Sequence, residues 1–410
     1  MSALFSSWND AWLLAGARTP FADLGGALSA VSPIDLGIAA ARGALAKAGL
    51  EGPEIGFVVA GSLAPASFDA YMLPRHIGLY AGAPLEVPAL LVQRVCGTGI
   101  EALVQAAHAV ERHGAGFALA AGAESMSRNP ICAFTHRNGF PLGAPVEFKD
   151  FLWEALLDPA CGLSMGGTAE ELARRYAITR GEVDAFAARS FERALAAQAA
   201  GFFDDEILPV EDCAFSRPGL RERGIRLPRG VGRVAADTHP RPSPPERLAT
   251  IRPAFGGVQT GGNSSAIVDG AAAAVVCSGA AARGRRPLAR FVAAAAVGCP
   301  PEIMGIGPVP AIRALLARTG LRLEQIDLIE INEAFGAQVL ACVRELGLDE
   351  ERLNVNGGAI AIGHPLAATG IRLAVTCARE LRRRGGRYGI ASACIGGGQG
   401  IALLLETSDA

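Results

Sequence analysis

An internal repeat is the feature of this sequence that most limits its fold. When the chain is offset by 271 residues, segment 44–50 aligns with segment 315–321. Segment 98–100 aligns with segment 369–371 in the same register, and no gap separates the two matches. We therefore expect two similar halves related by a pseudo-twofold axis, with a site between them.

Each half carries one reactive side chain near the matching point. Cys96 precedes a glycine-rich turn and a predicted helix, and His364, flanked by Gly363 and Pro365, aligns opposite Gln93. The macrodipole at a helix N-terminus favours a thiolate, so we expect a pKa for Cys96 below its free value of ~8.5. An ordinary histidine pKa of ~6.5 suits His364 to accept the thiol proton. The pair predicts a nucleophile and its base, although a lone cysteine beside glycine is also typical of a packed core.

Two other polar segments follow predicted strands of the second half. Cys394 precedes the glycine-rich segment 395–398, whose N–H groups can converge on an oxyanion while the thiol acts as an acid or base. The segment does not fit a nucleotide-binding loop, because no helix with a downstream acidic residue follows it. Asn332 offers an amide donor, and taken alone it equally fits a turn or a helix cap.

Composition excludes several functions. The chain has 410 residues, half of them hydrophobic, and a net charge of −2. This charge argues against nucleic-acid partners. Without a signal peptide or a run of ~18 apolar residues, we expect a cytoplasmic protein with no membrane partner. The nine cysteines are scattered and form no Cys-x-x-Cys pair, which argues against disulfide frameworks and zinc ribbons.

Apolar runs alternate with alanine-rich helical segments, which predicts an α/β fold with mostly parallel sheets. A long segment without a counterpart in the second half interrupts the first half, and we expect this insertion to bind ligand. It contains a predicted helix over 180–198, with Thr179 as N-cap and Glu182 as its capping-box partner. The predicted units are a first half at 1–123 and 254–280, an inserted loop domain at 124–253, and a second half at 281–410.

Several motifs occur in one order and together resemble the thiolase family of acetyl-CoA acetyltransferases and 3-ketoacyl-CoA thiolases. The resemblance covers essentially the whole chain and implies a five-layered α-β-α-β-α fold, built from two similar halves with an inserted loop domain. The motifs that carry it are Arg18-Thr-Pro-Phe21, Gly122-Ala-Glu-Ser-Met126, His239-Pro-Arg241, Arg252-Pro-Ala-Phe255, Asn263-Ser-Ser265, Asn332-Glu-Ala-Phe335, Gly363-His-Pro365 and Cys394-Ile-Gly-Gly-Gly398.

The resemblance implies an acyl-CoA:acetyl-CoA C-acyltransferase that cleaves 3-ketoacyl-CoA or runs the reverse Claisen condensation. Cys96 would carry the acyl group as a thioester, and His364 would activate its thiol. Cys394 would protonate the acetyl-CoA enolate or remove its α-proton. One oxyanion hole would use His364 with a water held by Asn332, and the other the backbone amides of Cys96 and Gly396.

The resemblance also implies the ligand and the assembly. CoA would be a substrate, no metal or redox cofactor would be needed, and the chain would form a homodimer or homotetramer in fatty acid metabolism, including β-oxidation. At the nucleotide end, the resemblance implies Phe255 and a basic residue within 226–233, taken as Arg229. The residues implied to line the pantetheine tunnel are Met165, Ser265, Ala334 and Phe335.

Four positions differ from the family pattern. Gln93 replaces the usual asparagine, while Ala367 and Thr369 replace the usual glycine and serine. Ser164 replaces the histidine of short-chain biosynthetic members, which leaves longer or branched 3-ketoacyl chains open. Two alternative functions remain: a ketoacyl-synthase-like condensing enzyme, and a catalytically silent member of the fold that binds acyl-CoA or lipid.

Overall fold

The computed structural model describes residues 3–63, 70–134 and 137–407. None of the helices in this part of the chain has the length and apolarity that a membrane crossing needs. The α-helices are α1 (Pro33–Ala48), α2 (Leu73–Tyr80), α3 (Thr98–His113), α4 (Phe151–Ala155), α5 (Met165–Arg175), α6 (Arg180–Ala199), α7 (Pro245–Ala249), α8 (Pro308–Thr319), α9 (Gly336–Leu346), α10 (Ala359–Ile362) and α11 (Leu366–Arg384).

The strands fall into one large sheet and several short ribbons. The sheet contains β1 to β6 and β15 to β19, and the ribbons are built from β7 to β14. The strands are β1 (Leu4–Ser7), β2 (Trp12–Arg18), β3 (Ala22–Asp23), β4 (Phe57–Gly61), β5 (Ala89–Leu91), β6 (Phe117–Ser125), β7 (Ile131–Cys132), β8 (Lys149–Asp150), β9 (Leu157–Asp158), β10 (Leu163–Ser164), β11 (Val210–Glu211), β12 (Cys213–Phe215), β13 (Arg223–Ile225), β14 (Arg233–Val234), β15 (Val268–Cys277), β16 (Ala289–Gly298), β17 (Leu328–Ile331), β18 (Tyr388–Ile395) and β19 (Gln399–Glu406).

The structural elements recur at the spacing that the repeat predicts. Strands β6 and β18 begin 271 residues apart, at Phe117 and Tyr388, and β4 and β17 begin with the same offset. Helices α3 and α11 end with this offset too, at His113 and Arg384. The duplication read from the sequence is therefore confirmed at the level of secondary structure.

The sheet mixes parallel and antiparallel strands, so the prediction of mostly parallel sheets was wrong. Its order is β17-β18-β19-β16-β2-β15-β6-β4-β5, and only the pairs β17/β18, β4/β5 and β4/β6 along this order are parallel. Strand β19 follows β18 after residues 396–398, and a connection this short permits only an antiparallel partner. Strand β15 runs antiparallel to β6 in the same way, although the insertion lies between them.

The helices build the five layers that the resemblance implies. Helices α3 and α11 pack against each other between the strands of the two halves, while α1 and α2 cover one outer face and α8 covers the other, with α9 packed beside α8. The central helices cross at Gly99 and Gly370, which are equivalent positions of the repeat. A Cβ on Gly99 would lie 2.8 Å from the backbone nitrogen of Gly370, so only glycine permits this approach. The contact of equivalent residues marks the pseudo-twofold axis.

The insertion contributes helices α5 and α6 beside the second half. Thr179 caps α6 and Glu182 completes the capping box, which confirms the prediction made from the sequence. The buried Arg18 of the first half binds Asp237 of the insertion through two hydrogen bonds of 2.6 and 2.8 Å. The insertion is thus anchored to the first half by a buried ion pair, while its boundaries at 124 and 253 stay a prediction.

Candidate active site

Cys96 lies on a strained turn directly before α3. The preceding residue, Val95, has a φ of 45°, in the left-handed region that β-branched residues rarely adopt. Thr98 holds this conformation, because its hydroxyl donates to the carbonyl of Val95 (2.6 Å) and accepts from the backbone N–H of Arg94 (2.9 Å). The backbone strain is typical of a functional turn, and it fixes the direction in which the sulfur points.

His364 lies on a second special turn, before α11. Gly363 has a φ of 107°, and a Cβ at this position would lie 2.6 Å from the side chain of Val268. The backbone N–H of His364 donates to the carbonyl of Ala266 at 3.0 Å. Glycine at 363 thus allows the buried imidazole to be presented from a turn that packs against the first half.

Hydrogen bonds determine which ring nitrogen of His364 can accept a proton. Nδ1 lies 2.6 Å from Oγ1 of Thr369, and this hydroxyl donates to the carbonyl of Pro365 at 3.2 Å. A hydroxyl has one hydrogen, so Thr369 accepts the hydrogen bond from Nδ1–H. Nε2 is therefore the unprotonated nitrogen, and it lies 3.3 Å from Nδ2 of Asn332.

Asn332 is buried at the end of β17. Its backbone N–H donates to the carbonyl of Ser392 at 2.9 Å, and Nδ2 faces His364. Among the described protein atoms, its Oδ1 has no hydrogen-bond partner. Because a buried amide oxygen normally finds one, Oδ1 is available to hold a water or a substrate group beside His364.

Cys394, in β18, and Gly396, in the connection that follows this strand, approach Cys96 from the second half. The backbone N–H of Gly396 and that of Cys96 itself both hydrogen-bond to the Cys96 sulfur. Cys394 is fully buried against Met165 and Met304. Burial first, and the nearby Cys96 second, raise the pKa of the Cys394 thiol well above its usual value. The two thiols thus face one site from opposite halves.

The electrostatics differ from the sequence-based expectation for both reactive groups. Burial raises the pKa of Cys96 to about 11, because it outweighs the hydrogen bonds from the two N–H groups, and the Glu124 carboxylate raises this pKa further. Burial, followed by the charge of Arg372, lowers the pKa of His364 to about 3. The expected low thiol pKa was wrong, since the desolvation of a fully buried sulfur exceeds the macrodipole effect. The resting pair is a thiol and a neutral imidazole.

A cavity of about 660 Å³ connects Cys96 and His364 with the protein surface. Phe255, which is 36% exposed, lies at its rim and packs edge-on against Phe335, with ring centroids 6.1 Å apart. Arg229 is exposed and is not among the described residues that line this cavity, so its role at the nucleotide end stays a prediction. The predicted contacts that do line the cavity are Met165, Phe255, Ser265, Ala334 and Phe335.

Ser164, where the resemblance expects histidine in short-chain members, also lines the cavity. Its hydroxyl accepts from the N–H of Gly167 at 3.1 Å and caps α5. Serine therefore keeps the helix cap with a smaller side chain than histidine.

Sequence reasoning missed two residues of the site. Met304 lines the cavity and packs with Cys394, but nothing in its local sequence signals this contact. Glu124 is buried, and its charge acts on the pKa of Cys96. A charged residue at the end of the otherwise apolar strand β6 was a signal that could have pointed to it.

The comparisons with known proteins agree with this geometry. The family description "Thiolase, N-terminal domain" matches residues 12–280, and "Thiolase, C-terminal domain" matches residues 285–407. A mitochondrial 3-ketoacyl-CoA thiolase from Bos taurus is 42% identical over 97% of this chain and 98% of its own length. An acetyl-CoA acetyltransferase from Syntrophomonas wolfei is 40% identical over 96% of this chain and 98% of its own length.

Solved structures show the same relationship. The crystal structure of human mitochondrial 3-ketoacyl-CoA thiolase in complex with CoA has a TM-score of 0.91 and 40% sequence identity, over 97% of this chain and 98% of that one. Fold and site define the class: a duplicated five-layered α/β chain that joins a cysteine, a histidine and a second cysteine between its halves. The chain belongs to the thiolase family.

Proposed function

We propose that this chain is an acyl-CoA:acetyl-CoA C-acyltransferase, which cleaves 3-ketoacyl-CoA with CoA or runs the reverse condensation. The observation that carries the proposal is the convergence of Cys96, His364 and Cys394 at one site, with Asn332 and the N–H of Gly396 as donors. Relatives named 3-ketoacyl-CoA thiolase, at about 40% identity over the full length, support the same reaction.

In the first half-reaction, Nε2 of His364 takes the proton of Cys96 as the sulfur attacks the 3-keto carbon of the substrate. Because both groups are neutral at rest, proton transfer accompanies the attack. The carbon–carbon bond then breaks, the shortened acyl group stays on sulfur, and the electron pair forms the enolate of acetyl-CoA. Cys394 gives its proton to the enolate carbon, and acetyl-CoA leaves.

In the second half-reaction, the thiol of CoA gives its proton to the Cys394 thiolate and attacks the thioester carbonyl. The bond between the acyl carbon and the Cys96 sulfur breaks, the acyl group stays on CoA, and His364 returns its proton to Cys96, which restores all three groups. The oxyanion of the tetrahedral intermediate bound to Cys96 accepts hydrogen bonds from the backbone N–H groups of Cys96 and Gly396. The enolate oxygen accepts hydrogen bonds from His364 and from a water bound to Asn332. Such donors contribute about 3 kcal/mol each to transition-state stabilisation.

We also propose that the substrates include 3-ketoacyl chains longer than acetoacetyl and that the chain serves β-oxidation. Serine at 164 and apolar side chains such as Leu156 and Leu366 in the same cavity support a longer acyl group. In this proposal no metal or redox cofactor takes part, because each step is a proton or acyl transfer between groups of the protein and CoA. A cytoplasmic location stays a prediction.

A homodimer or homotetramer is part of the proposal. Strand β5 forms one end of the described sheet, and its residues Leu90 and Leu91 are exposed. An exposed apolar edge strand is a template for pairing with another chain, and a second copy would cover it. Sedimentation of the full chain tests this, and a monomer would contradict it.

The experiment is CoA-dependent loss of ketoacyl enolate absorbance, measured for 3-ketoacyl-CoA substrates of increasing chain length. We expect cleavage beyond acetoacetyl-CoA, abolished in Cys96→Ala. Cys277→Ala is the matched control, because Cys277 is a buried cysteine in β15 that does not line the cavity. Normal cleavage by Cys96→Ala would contradict the mechanism. Binding without cleavage would support the silent alternative, and acylation only from a carrier protein would support the ketoacyl-synthase alternative.

A further inference from the structure

The buried carboxylate of Glu124 acts on the pKa of Cys96 but has no role in the proposed reaction. Glu124 is 1% exposed, near the end of β6, a strand of the first half that extends two residues past the predicted boundary of the insertion. Burying a carboxylate is costly unless hydrogen bonds compensate for the lost solvent, so its partners show what it holds. They come from both halves of the chain.

Within the first half, the carboxylate holds the segment that follows β4. Oε1 accepts from the hydroxyl of Ser62 at 2.9 Å and from the N–H of Leu63 at 3.2 Å. Oε2 accepts from the same N–H at 3.0 Å. These bonds fix the carboxylate at the end of the first-half strands, on the side of Cys96.

Across the boundary between the halves, Oε2 accepts from the backbone N–H of Ala367 at 3.1 Å. Ala367 is the second residue of α11, and N–H groups in the first turn of a helix have no partner within the helix. The N-cap residue, Pro365, supplies no side-chain hydrogen bond. Glu124 therefore caps α11 from the other half, and an anion here also interacts favourably with the helix macrodipole.

The cap acts two residues from the His-Pro turn, because His364 and Pro365 directly precede α11. The backbone at Ala367 packs closely against the first half, since a Cβ on Gly122 would lie 2.0 Å from the carbonyl oxygen of Ala367. The position of His364 relative to Cys96 thus depends on a contact between halves that Glu124 completes. We propose that Glu124 is a positioning residue, which holds His364 in register with Cys96 by binding the first turn of α11.

A second effect follows from the charge. The carboxylate of Glu124 raises the pKa of Cys96, after the larger effect of burial, whereas Arg372 is the charge that acts on His364. Glu124 therefore favours the thiol form of Cys96. This inference rests on the proposed role of Cys96 as nucleophile.

Two variants separate position from charge. Glu124→Gln removes the charge and places an amide N–H against the backbone N–H groups, so we expect kcat to fall about 10²-fold, with the KM for CoA little changed. The pH profile of Cys96 alkylation by iodoacetamide should move to lower pH. Glu124→Asp keeps the charge and shortens the reach, so kcat should fall while the alkylation profile stays. It also tests the proposal if the glutamine variant does not fold.

Asp269→Asn is the matched control. Asp269 is a buried carboxylate on the neighbouring strand β15, and it accepts hydrogen bonds from the N–H and the hydroxyl of Ser127, directly after β6, with no partner in the second half among these bonds. We expect it to lower stability without changing the alkylation profile or kcat per folded enzyme. Equal effects of Glu124→Gln and Asp269→Asn on both readouts would overturn the positioning role. Alkylation of Cys96 needs no turnover, so the role of Glu124 can be tested even if the proposed function is wrong. Failure of the proposed function would be seen in a separate measurement, as a wild-type chain that stays unmodified after incubation with acyl-CoA.

Discussion

Oγ1 of Thr369 lies 2.6 Å from Nδ1 of His364 and, by donating its own hydrogen to Pro365, selects the imidazole tautomer in which Nε2 is unprotonated. The relationship links a position that departs from the family pattern to the base of the proposed reaction. Threonine keeps the hydroxyl that serine would supply.

Loss of this hydroxyl tests the tautomer directly. Thr369→Val leaves Nδ1–H buried without an acceptor, which costs about 1–3 kcal/mol, so we expect kcat to fall about 10- to 100-fold. Thr369→Ser should restore it. The matched control is Thr376→Val, which removes a buried hydroxyl of the same helix that binds Glu206. A control as inactive as Thr369→Val would mean that helix packing, rather than the tautomer, was lost.

The amide of Asn332 provides the second prediction. Asn332→Ala removes a donor and the free Oδ1 beside His364, and we expect kcat to fall about 10²- to 10³-fold, as for other oxyanion-hole donors. Asn356→Ala removes a buried asparagine that is not among the residues lining the described cavity, and it should keep kcat per folded enzyme. Steady-state kinetics give kcat for both variants. A normal kcat for Asn332→Ala would mean that this residue takes no part in the mechanism.

The third prediction concerns pH. Because the pKa of Cys96 is raised to about 11 and that of His364 is lowered to about 3, little thiolate exists near neutrality. Alkylation of Cys96 by iodoacetamide should therefore keep rising with pH up to about pH 10, where the thiolate fraction still increases. Mass analysis of the Cys96 peptide gives the rates. A plateau below neutral pH would instead indicate a preformed thiolate–imidazolium pair.

The fourth prediction separates the two ends of CoA. Phe255→Ala truncates an aromatic side chain at the cavity rim, so the KM for CoA should rise about 10-fold. Arg229→Gln should raise the KM for CoA, with a strong dependence on salt, and leave the KM for pantetheine unchanged, because only the nucleotide reaches an exposed arginine. Equal effects of Arg229→Gln on both thiols, or none on either, would remove Arg229 from the site.

Much of the fold and of the site could be predicted from the sequence, because the two copies of the repeat align at a constant offset of 271 residues. The aligned glycines at 99 and 370 meet at the crossing of α3 and α11, and the motif residues Cys96, His364 and Cys394 converge as expected. The antiparallel direction of β19 follows from the short connection at 396–398, which the sequence itself shows. The pKa values could not be predicted in the same way, because they depend on how the two halves pack, whereas the sequence near Cys96 shows only the helix that follows it. Glu124 was missed for this reason, since its partner Ala367 lies in the other half.

The most direct measurement is the intact mass of the chain after incubation with 3-ketoacyl-CoA in the absence of free CoA. We expect a mass increase equal to the shortened acyl group, located on the Cys96 peptide, absent in Cys96→Ala and removed when CoA is added. An unmodified wild-type chain, or an acyl group on any other cysteine, would contradict it.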